Sequence, residues 1–501
     1  MSPARSRFVG NTVALAASTV LATGLTLAQM KLLAGNLTLA TFGLFASLRG
    51  LSLLISMLAS NGLPQVLVRF IPEHAARAHR SAARRLSLVA IFATLAACVV
   101  LLAVVALVPA AFLRDVDPAD RGTGLMLWFA LTTLAVALKL VLYGGFNGLR
   151  RFGTQTVLET GALLLQVVWM FVERDSLTLT RLFQITGVTS MAAALVAIPW
   201  YFARLRRDVS VGDAGTPPFP GRYWLGATGL GVVAVAFTDV DRWVLSSVLA
   251  LEALSLFHVA SRVARLTNRF IAIPVLAFQP EVTRVSAEGR GGEVEASTRA
   301  FFKASVLLAT FGAAAICVFA DDLIRLASND AFLGARTTLW WMAASIPLTA
   351  MTAPLTAVMK ALDAVRDALY CDLVWAAVYV GCMLLLARWM GLEGAGIAQL
   401  AAAALQLVLA VRLARVRPTT PQMLATLART VVCALLAFAP ALVLRALDVP
   451  PVLVWAGGAA ALVLYLALAR RLRVLSPDER ERVRARLGAR LNTPALAWFI
   501  P

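Results

Sequence analysis

Residues 87–108 read SLVAIFATLAACVVLLAVVALV: twenty-two positions with no charge, no proline and no alternation of period two. A helix of that length crosses the hydrocarbon core of a bilayer. Lipid offers backbone N–H and C=O groups no water to bond, so a spanning element must be a helix or part of a closed barrel. Continuity of the apolar run, in place of alternation, selects the helix.

The same pattern recurs along the chain. Windows of about nineteen residues predict spans at 8–34, 40–68, 87–112, 124–148, 154–172, 182–202, 223–246, 253–278, 301–320, 337–359, 369–387, 395–411, 429–445 and 452–469. The 501 residues are 60% hydrophobic and 15% charged, with mean hydropathy +0.80. Soluble domains lie nearer half apolar and a quarter charged, so this chain lacks the polar surface to cover a water-soluble globule. The expected fold is an all-α integral membrane protein of about 14 transmembrane helices.

A net charge of +19 raises nucleic acid as a partner, and the distribution of the charge answers it. With the N-terminus in the cytoplasm, alternate loops hold the arginine clusters: Arg77, Arg80, Arg84 and Arg85; Arg204, Arg206 and Arg207; Arg412, Arg415 and Arg417; and eight arginines from Arg470 to Arg490. The opposite loops hold few. Lys and Arg retained on the cytoplasmic side fix orientation, which predicts both termini on the cytoplasmic side of the membrane, and no nucleic acid. The longest external loop runs from about Asp321 to Arg336, too short for the catalytic domain a glycan polymerase or ligase requires. No P-loop, G-x-S-x-G, H-E-x-x-H or paired CxxC occurs, so neither an enzyme nor a cofactor is expected. The five cysteines all lie in apolar runs and read as small buried hydrophobes.

An internal repeat runs at an offset of 212 to 216 residues. Phe45, Arg49, Pro64 and Arg69 echo Phe257, Arg262, Pro280 and Arg284; Arg150 echoes Arg366; Glu159 echoes Asp372. The expected organisation is a six-helix bundle at 1–203, a cytoplasmic linker at 204–222 containing Pro217, Pro218 and Pro220, a second six-helix bundle at 223–414, an appended helix pair at 415–470 and a basic tail at 471–501. Within the tail, Ser476-Pro477-Asp478-Glu479 has the form of a capping box opening a helix.

Charges inside spans cost several kcal/mol unless they face a partner or a wet cavity. His258, Arg262, Arg265 and Arg269 step by four, three and four, which puts them on one helical face. A stripe of three arginines predicts a cavity between the bundles and an anionic ligand. The planar guanidinium grips phosphate through two bonds, so phosphate or pyrophosphate fits best. The competing reading pairs these arginines with Asp239, Asp241 or Asp372 as packing bridges, with Arg269 reaching the interface. Arg49, the first-half counterpart of the stripe, is the natural second contact for an anionic head group. Lys139 is either a further contact or the internal counter-ion of Glu159. Asp239, Asp241, Glu159 and Asp372 are the candidates for coupling to protons or sodium, with Asp241 alternatively neutralising Arg242. Gly144 and Gly148 form a GxxxG pair of the kind found where helices pack closely.

Thr41-Phe42-Gly43-Leu44-Phe45, followed by Asn61-Gly62-Leu63-Pro64 and Arg69, resembles the second helix of polysaccharide (O-antigen type) flippases. Asp241-Arg242, then Leu256-Phe257-His258-Val259-Ala260-Ser261-Arg262 and Gln279-Pro280-Glu281, resembles their seventh and eighth helices. Gly391-Leu392-Glu393-Gly394-Ala395-Gly396-Ile397-Ala398 resembles their eleven-to-twelve junction. These flippases belong to the multidrug/oligosaccharidyl-lipid/polysaccharide exporter superfamily. The resemblance covers roughly residues 8 to 415. It implies a two-bundle, V-shaped transporter that turns an undecaprenyl-pyrophosphate-linked oligosaccharide from the inner to the outer leaflet of the bacterial cytoplasmic (inner) membrane by alternating access, for polysaccharide or lipopolysaccharide biosynthesis. Where the family shows a Tyr after its seventh helix, this chain has Phe257 and His258. The implied partners are the lipid-linked oligosaccharide, membrane lipids and other polysaccharide assembly proteins. Three alternatives compete: an ion-coupled multidrug/cation antiporter of the same superfamily, which calls for an acidic cavity; a membrane-embedded glycan polymerase or glycosyltransferase; and an inert scaffold of an assembly system.

Overall fold

The computed structural model describes residues 21–106, 123–149, 151–210, 219–221, 223–225, 228, 240–287, 291–362, 364–414, 416, 417, 419–447 and 449–480. Among them the chain is helical throughout, with no strand. Residues 21–36 are helical. They are followed by α1 (Leu39–Ser60), α2 (Leu63–Ala76), α3 (Arg80–Ala106), α4 (Thr123–Gly148), α5 (Phe152–Val172), α6 (Leu179–Asp208), α7 (Val240–Ser246) and α8 (Leu251–Ala287). Then come α9 (Gly291–Val318), α10 (Ala320–Ala327), α11 (Arg336–Ala361), α12 (Val365–Met390), α13 (Leu392–Leu413), α14 (Thr420–Ala446) and α15 (Pro451–Arg471).

Eleven helical stretches among the described residues are long and apolar enough to cross a membrane, and each coincides with one of the fourteen predicted spans. Of the remaining three, the first and seventh lie about half outside the described residues; positions 211–218 and 222 of the linker at 204–222 and the tail beyond Arg480 lie outside them. The eighth lies within α8, a continuous helix of 37 residues that does not reach the same apolarity. One predicted span needs correction. The run 40–68 is not a single helix: Asn61 (φ 43°) and Gly62 (φ 74°) adopt left-handed conformations between α1 and α2. Asn and Gly are the residues that tolerate this geometry at a helix end, and Pro64 in the first turn of α2 suits a fresh start. Hydropathy carried the span across the break because Leu63, Val66, Leu67 and Val68 continue the apolar run.

By contacts the chain divides into two compact units, residues 1–258 with 327–329, and residues 259–326 with 330–501. In the first unit α4 is central, packing on α1, α2, α3 and α6. Lipid removes the hydrophobic drive between helices, so close approach through small residues matters instead. Gly144 and Gly148 supply it: a Cβ on Gly144 would lie 2.6 Å from the Pro64 Cα, and one on Gly148 would lie 2.6 Å from the Leu67 carbonyl oxygen. The predicted GxxxG pair is thus the seat of α2. Tyr201 fills the core beside Phe146 and shares a 2.7 Å hydrogen bond with Ser87. The left-handed break is itself held: the Trp224 indole N–H and the Thr228 hydroxyl both donate to the Asn61 carbonyl, at 2.7 and 3.1 Å. Arg69 lies over the Tyr223 ring at 4.8 Å.

In the second unit α12 packs on α13, and α11 on α13 and α9, while α14 pairs with α15 and leans on α9. The longest predicted external loop is folded, as α10 and a 3-10 turn at Asp330–Ala335. Arg445 of α14 reaches Asp321 at 3.1 Å and Asp322 at 3.3 Å. The tail opens with the capping box read from the sequence: Glu479 N–H donates to Ser476 Oγ at 3.3 Å, and Ser476 N–H donates to Glu479 Oε2 at 2.8 Å. Lys303 of α9 also meets Glu479 Oε2, at 2.9 Å. Burial pushes the Glu479 carboxyl upward, but the Ser476 N–H and the Lys303 ammonium outweigh it and hold it below the usual carboxylate range.

Candidate functional site

The first unit holds a cluster of polar side chains inside its helices. Lys139, half-buried on α4, donates to Ser190 Oγ of α6 at 3.0 Å and makes no ion pair among the described residues. A neutral hydroxyl is thus the bonded partner of a buried ammonium, an arrangement that leaves the positive charge uncompensated at contact distance. Glu159 of α5 and Arg49 of α1 are close enough for their charges to act on it. Glu159 is exposed and makes neither a hydrogen bond nor an ion pair among the described residues. Among the described residues Lys139 and Glu159 do not form a salt bridge.

Arg49, half-buried, donates to Gln29 Oε1 at 3.5 Å. Gln29 in turn donates to Gln166 Oε1 of α5, also at 3.5 Å, and both glutamines are buried. Sequence reading took the charged residues and passed over the neutral ones beside them. Tyr143 and Asn147 lie four and eight positions beyond Lys139, on the same face of α4. The Tyr143 hydroxyl and Asn147 Oδ1 are buried without a hydrogen-bond partner among the described residues, and the charge of Glu159 reaches Tyr143. Buried polar atoms without partners are uncommon and cost about 1–3 kcal/mol each. The i, i+4, i+8 step from Lys139 was the signal that would have found them.

The remaining predicted residues divide as follows. His258 is buried at the end of the first unit, edge-on to Phe42 with ring centroids 5.3 Å apart. Asp241 on α7 is buried, 3% exposed. Asp239 and the side chains of Arg242 and Arg269 lie outside the described residues. In the second unit, Arg262 and Arg265 are half-buried on α8, which runs as one helix from Leu251 to Ala287. Asp372 on α12 is enclosed: Lys360 lies 3.6 Å from one carboxylate oxygen and Gln406 donates to the other at 3.1 Å. Among the described residues no arginine pairs with Asp372.

No protein-family model matches the chain, and no curated protein matches its sequence. Solved structures do match. Lipid II flippase MurJ in an inward closed conformation shares 11% identity over 92% of this chain and 98% of its own, with a TM-score of 0.72. An inward-facing multidrug resistance MATE family transporter of the MOP superfamily shares 14% over 82% of this chain and 94% of its own, with a TM-score of 0.63. A MOP superfamily transporter from Pyrococcus furiosus, described as having a binding pocket of reverse polarity, shares 14% over 82% of this chain and 97% of its own, with a TM-score of 0.58. The fold of this chain is therefore the all-helical fold of the MOP superfamily transporters. Its neighbours in that fold include both a lipid flippase and multidrug exporters.

Proposed function

We propose that this chain is a flippase. It moves an undecaprenyl-pyrophosphate-linked oligosaccharide across the bacterial cytoplasmic membrane by alternating access, serving polysaccharide or lipopolysaccharide assembly together with other proteins of that system. Both termini lie in the cytoplasm, and two six-helix bundles with an appended pair carry the motion. The observation that supports this most is Lys139, an ammonium inside the helices whose bonded partner is a neutral serine. Such a charge is stabilised when an anion arrives. A pyrophosphate supplies one, and Arg49 stands near to share it. We assign Arg262, Arg265, Arg269 and His258 as further contacts for the anionic head group. Tyr143 and Asn147 add a hydroxyl and an amide oxygen, groups that suit the hydroxyls of a sugar. Among the carboxylates we assign ion coupling to Glu159, with Asp239 and Asp241 as further candidates; the enclosure of Asp372 favours a packing role for it. A cation antiporter is less well served, because a cationic interior repels its substrates.

The test is leaflet transfer of a fluorescent lipid-linked oligosaccharide in liposomes. Wild-type protein should transfer it, and Arg262→Ala with Arg265→Ala should abolish transfer while insertion is kept. Normal transfer by that variant would sink the site assignment. Efflux of cationic dyes without lipid transfer would put the antiporter in place of the flippase. Formation of glycosidic bonds by the purified protein would make it a polymerase.

A further inference from the structure

One exposed face of α3, apart from the Lys139 cluster, carries a shallow surface groove lined by residues of that helix. It is open, about 600 Å³ in volume, and lined by Ser81, Arg84, Arg85, Leu88, Val89 and Phe92. The lining follows the helix at steps of three and four, so it is polar and cationic at one end and apolar at the other. Arg84 and Arg85 are exposed and have no acidic or hydrogen-bonding partner among the described residues. Their neighbour Arg80 is engaged, donating to the Val209 carbonyl at the end of α6 at 2.6 Å. The first turn of α3 contains no acid. Beyond the arginines, Val89 is 42% exposed and Phe92 66%, at the start of the run 87–108 that faces lipid by composition.

We infer that this groove holds one anionic phospholipid of the surrounding bilayer, its phosphate between Arg84 and Arg85 and an acyl chain along Leu88, Val89 and Phe92. Charge complementarity selects the occupant. Both arginines line the same surface without a carboxylate, and each planar guanidinium presents a fork of N–H groups that matches a phosphate; the apolar half lies one to two turns further on, where the chains of the same lipid begin. A headgroup without net charge leaves the pair uncompensated. The site is separate from the transported substrate and is probed by an ordinary bilayer lipid, so its failure would leave the flippase reading untouched.

The experiment uses the full chain, delipidated in a non-ionic detergent. It is titrated with phosphatidylglycerol or with phosphatidylcholine of the same acyl chains, and bound lipid is read by native mass spectrometry. Phosphatidylglycerol should be retained preferentially. Arg84→Gln with Arg85→Gln should weaken that retention about thirty-fold, taking roughly 1 kcal/mol per arginine at an anionic headgroup, and should leave phosphatidylcholine unchanged. Arg84→Lys with Arg85→Lys keeps the charge and loses the fork; it should weaken retention about five-fold, roughly 1 kcal/mol, and decides the matter if the glutamine variant does not fold. Arg470→Gln with Arg471→Gln, an exposed pair elsewhere, should change nothing. Equal retention of the two lipids, undiminished retention in the lysine variant, or equal loss in the Arg470/Arg471 control would overturn the assignment. So would a second protein chain occupying the groove.

Discussion

Glu159 and Asp372 occupy matching places in the sequence repeat, 213 residues apart, and the two helices treat them in opposite ways. In the first unit Glu159 is exposed and unpaired among the described residues, with Lys139 within reach of its charge but bonded to Ser190. In the second, Asp372 is closed between Lys360 and Gln406. A repeat therefore fixes where a carboxylate stands, while the neighbours on the next helices fix whether it remains available. An ammonium that keeps its carboxylate at a distance can exchange partners; a carboxylate held by a hydrogen bond at one oxygen and an ion pair at the other ties helices together.

The sharpest way to break this contrast is Lys139→Met. Transfer of lipid-linked oligosaccharide should fall roughly ten- to a hundred-fold, since a hydrogen bond to a charged group contributes about 1.5–3 kcal/mol. Thermal stability should hold, because an apolar side chain replaces an unpaired charge of similar length. A large drop in melting temperature with transfer intact would make Lys139 a packing residue. Next in size, Asp372→Ala leaves Lys360 and Gln406 without their acceptor and should cost about 2 kcal/mol of stability, measured by denaturant or thermal unfolding in detergent. Glu159→Gln should stay within about 0.5 kcal/mol. Equal losses at the two positions would erase the distinction. Double-mutant cycles refine it further: coupling of about 1 kcal/mol is expected for Lys360 with Asp372, and less than about 0.5 kcal/mol for Lys139 with Glu159.

The smallest effect concerns the tail. Glu479 is held below its ordinary value of 4.5. A depressed carboxylate contributes stability that is fully present above its unfolded pKa and is lost as pH falls through the folded value. The contact with Lys303 should therefore be intact at neutral pH and weaken only below about 4.5. Hydrogen exchange at residues 476–480 should accelerate there and nowhere higher.

Most of the fold was legible because oil-soluble runs are unambiguous: eleven predicted spans coincide with helices of the right length and apolarity. The capping box at Ser476 and the GxxxG pair at Gly144 were legible for a related reason, since each is a local rule written in adjacent residues. The break at Asn61-Gly62 was not, because hydropathy averages over the two residues whose dihedral angles decide it. The site was half legible. Charges inside spans announce themselves by their cost, so Arg49, Lys139 and Glu159 stood out. Gln29, Tyr143, Asn147 and Ser190 did not, because neutral polar residues are common in membrane helices and acquire meaning only from what faces them.

The break at Asn61 has a consequence for anyone mapping this protein by mutagenesis. The two bonds that fasten it, from Trp224 and Thr228, end on a backbone oxygen, which every residue type possesses. A side-chain scan of position 61 would register only the loss of a tolerant turn former and would miss the fastening altogether. Its weight is visible from the donor side alone, at Trp224 and Thr228, or by replacing the peptide carbonyl itself through ester or thioamide chemistry.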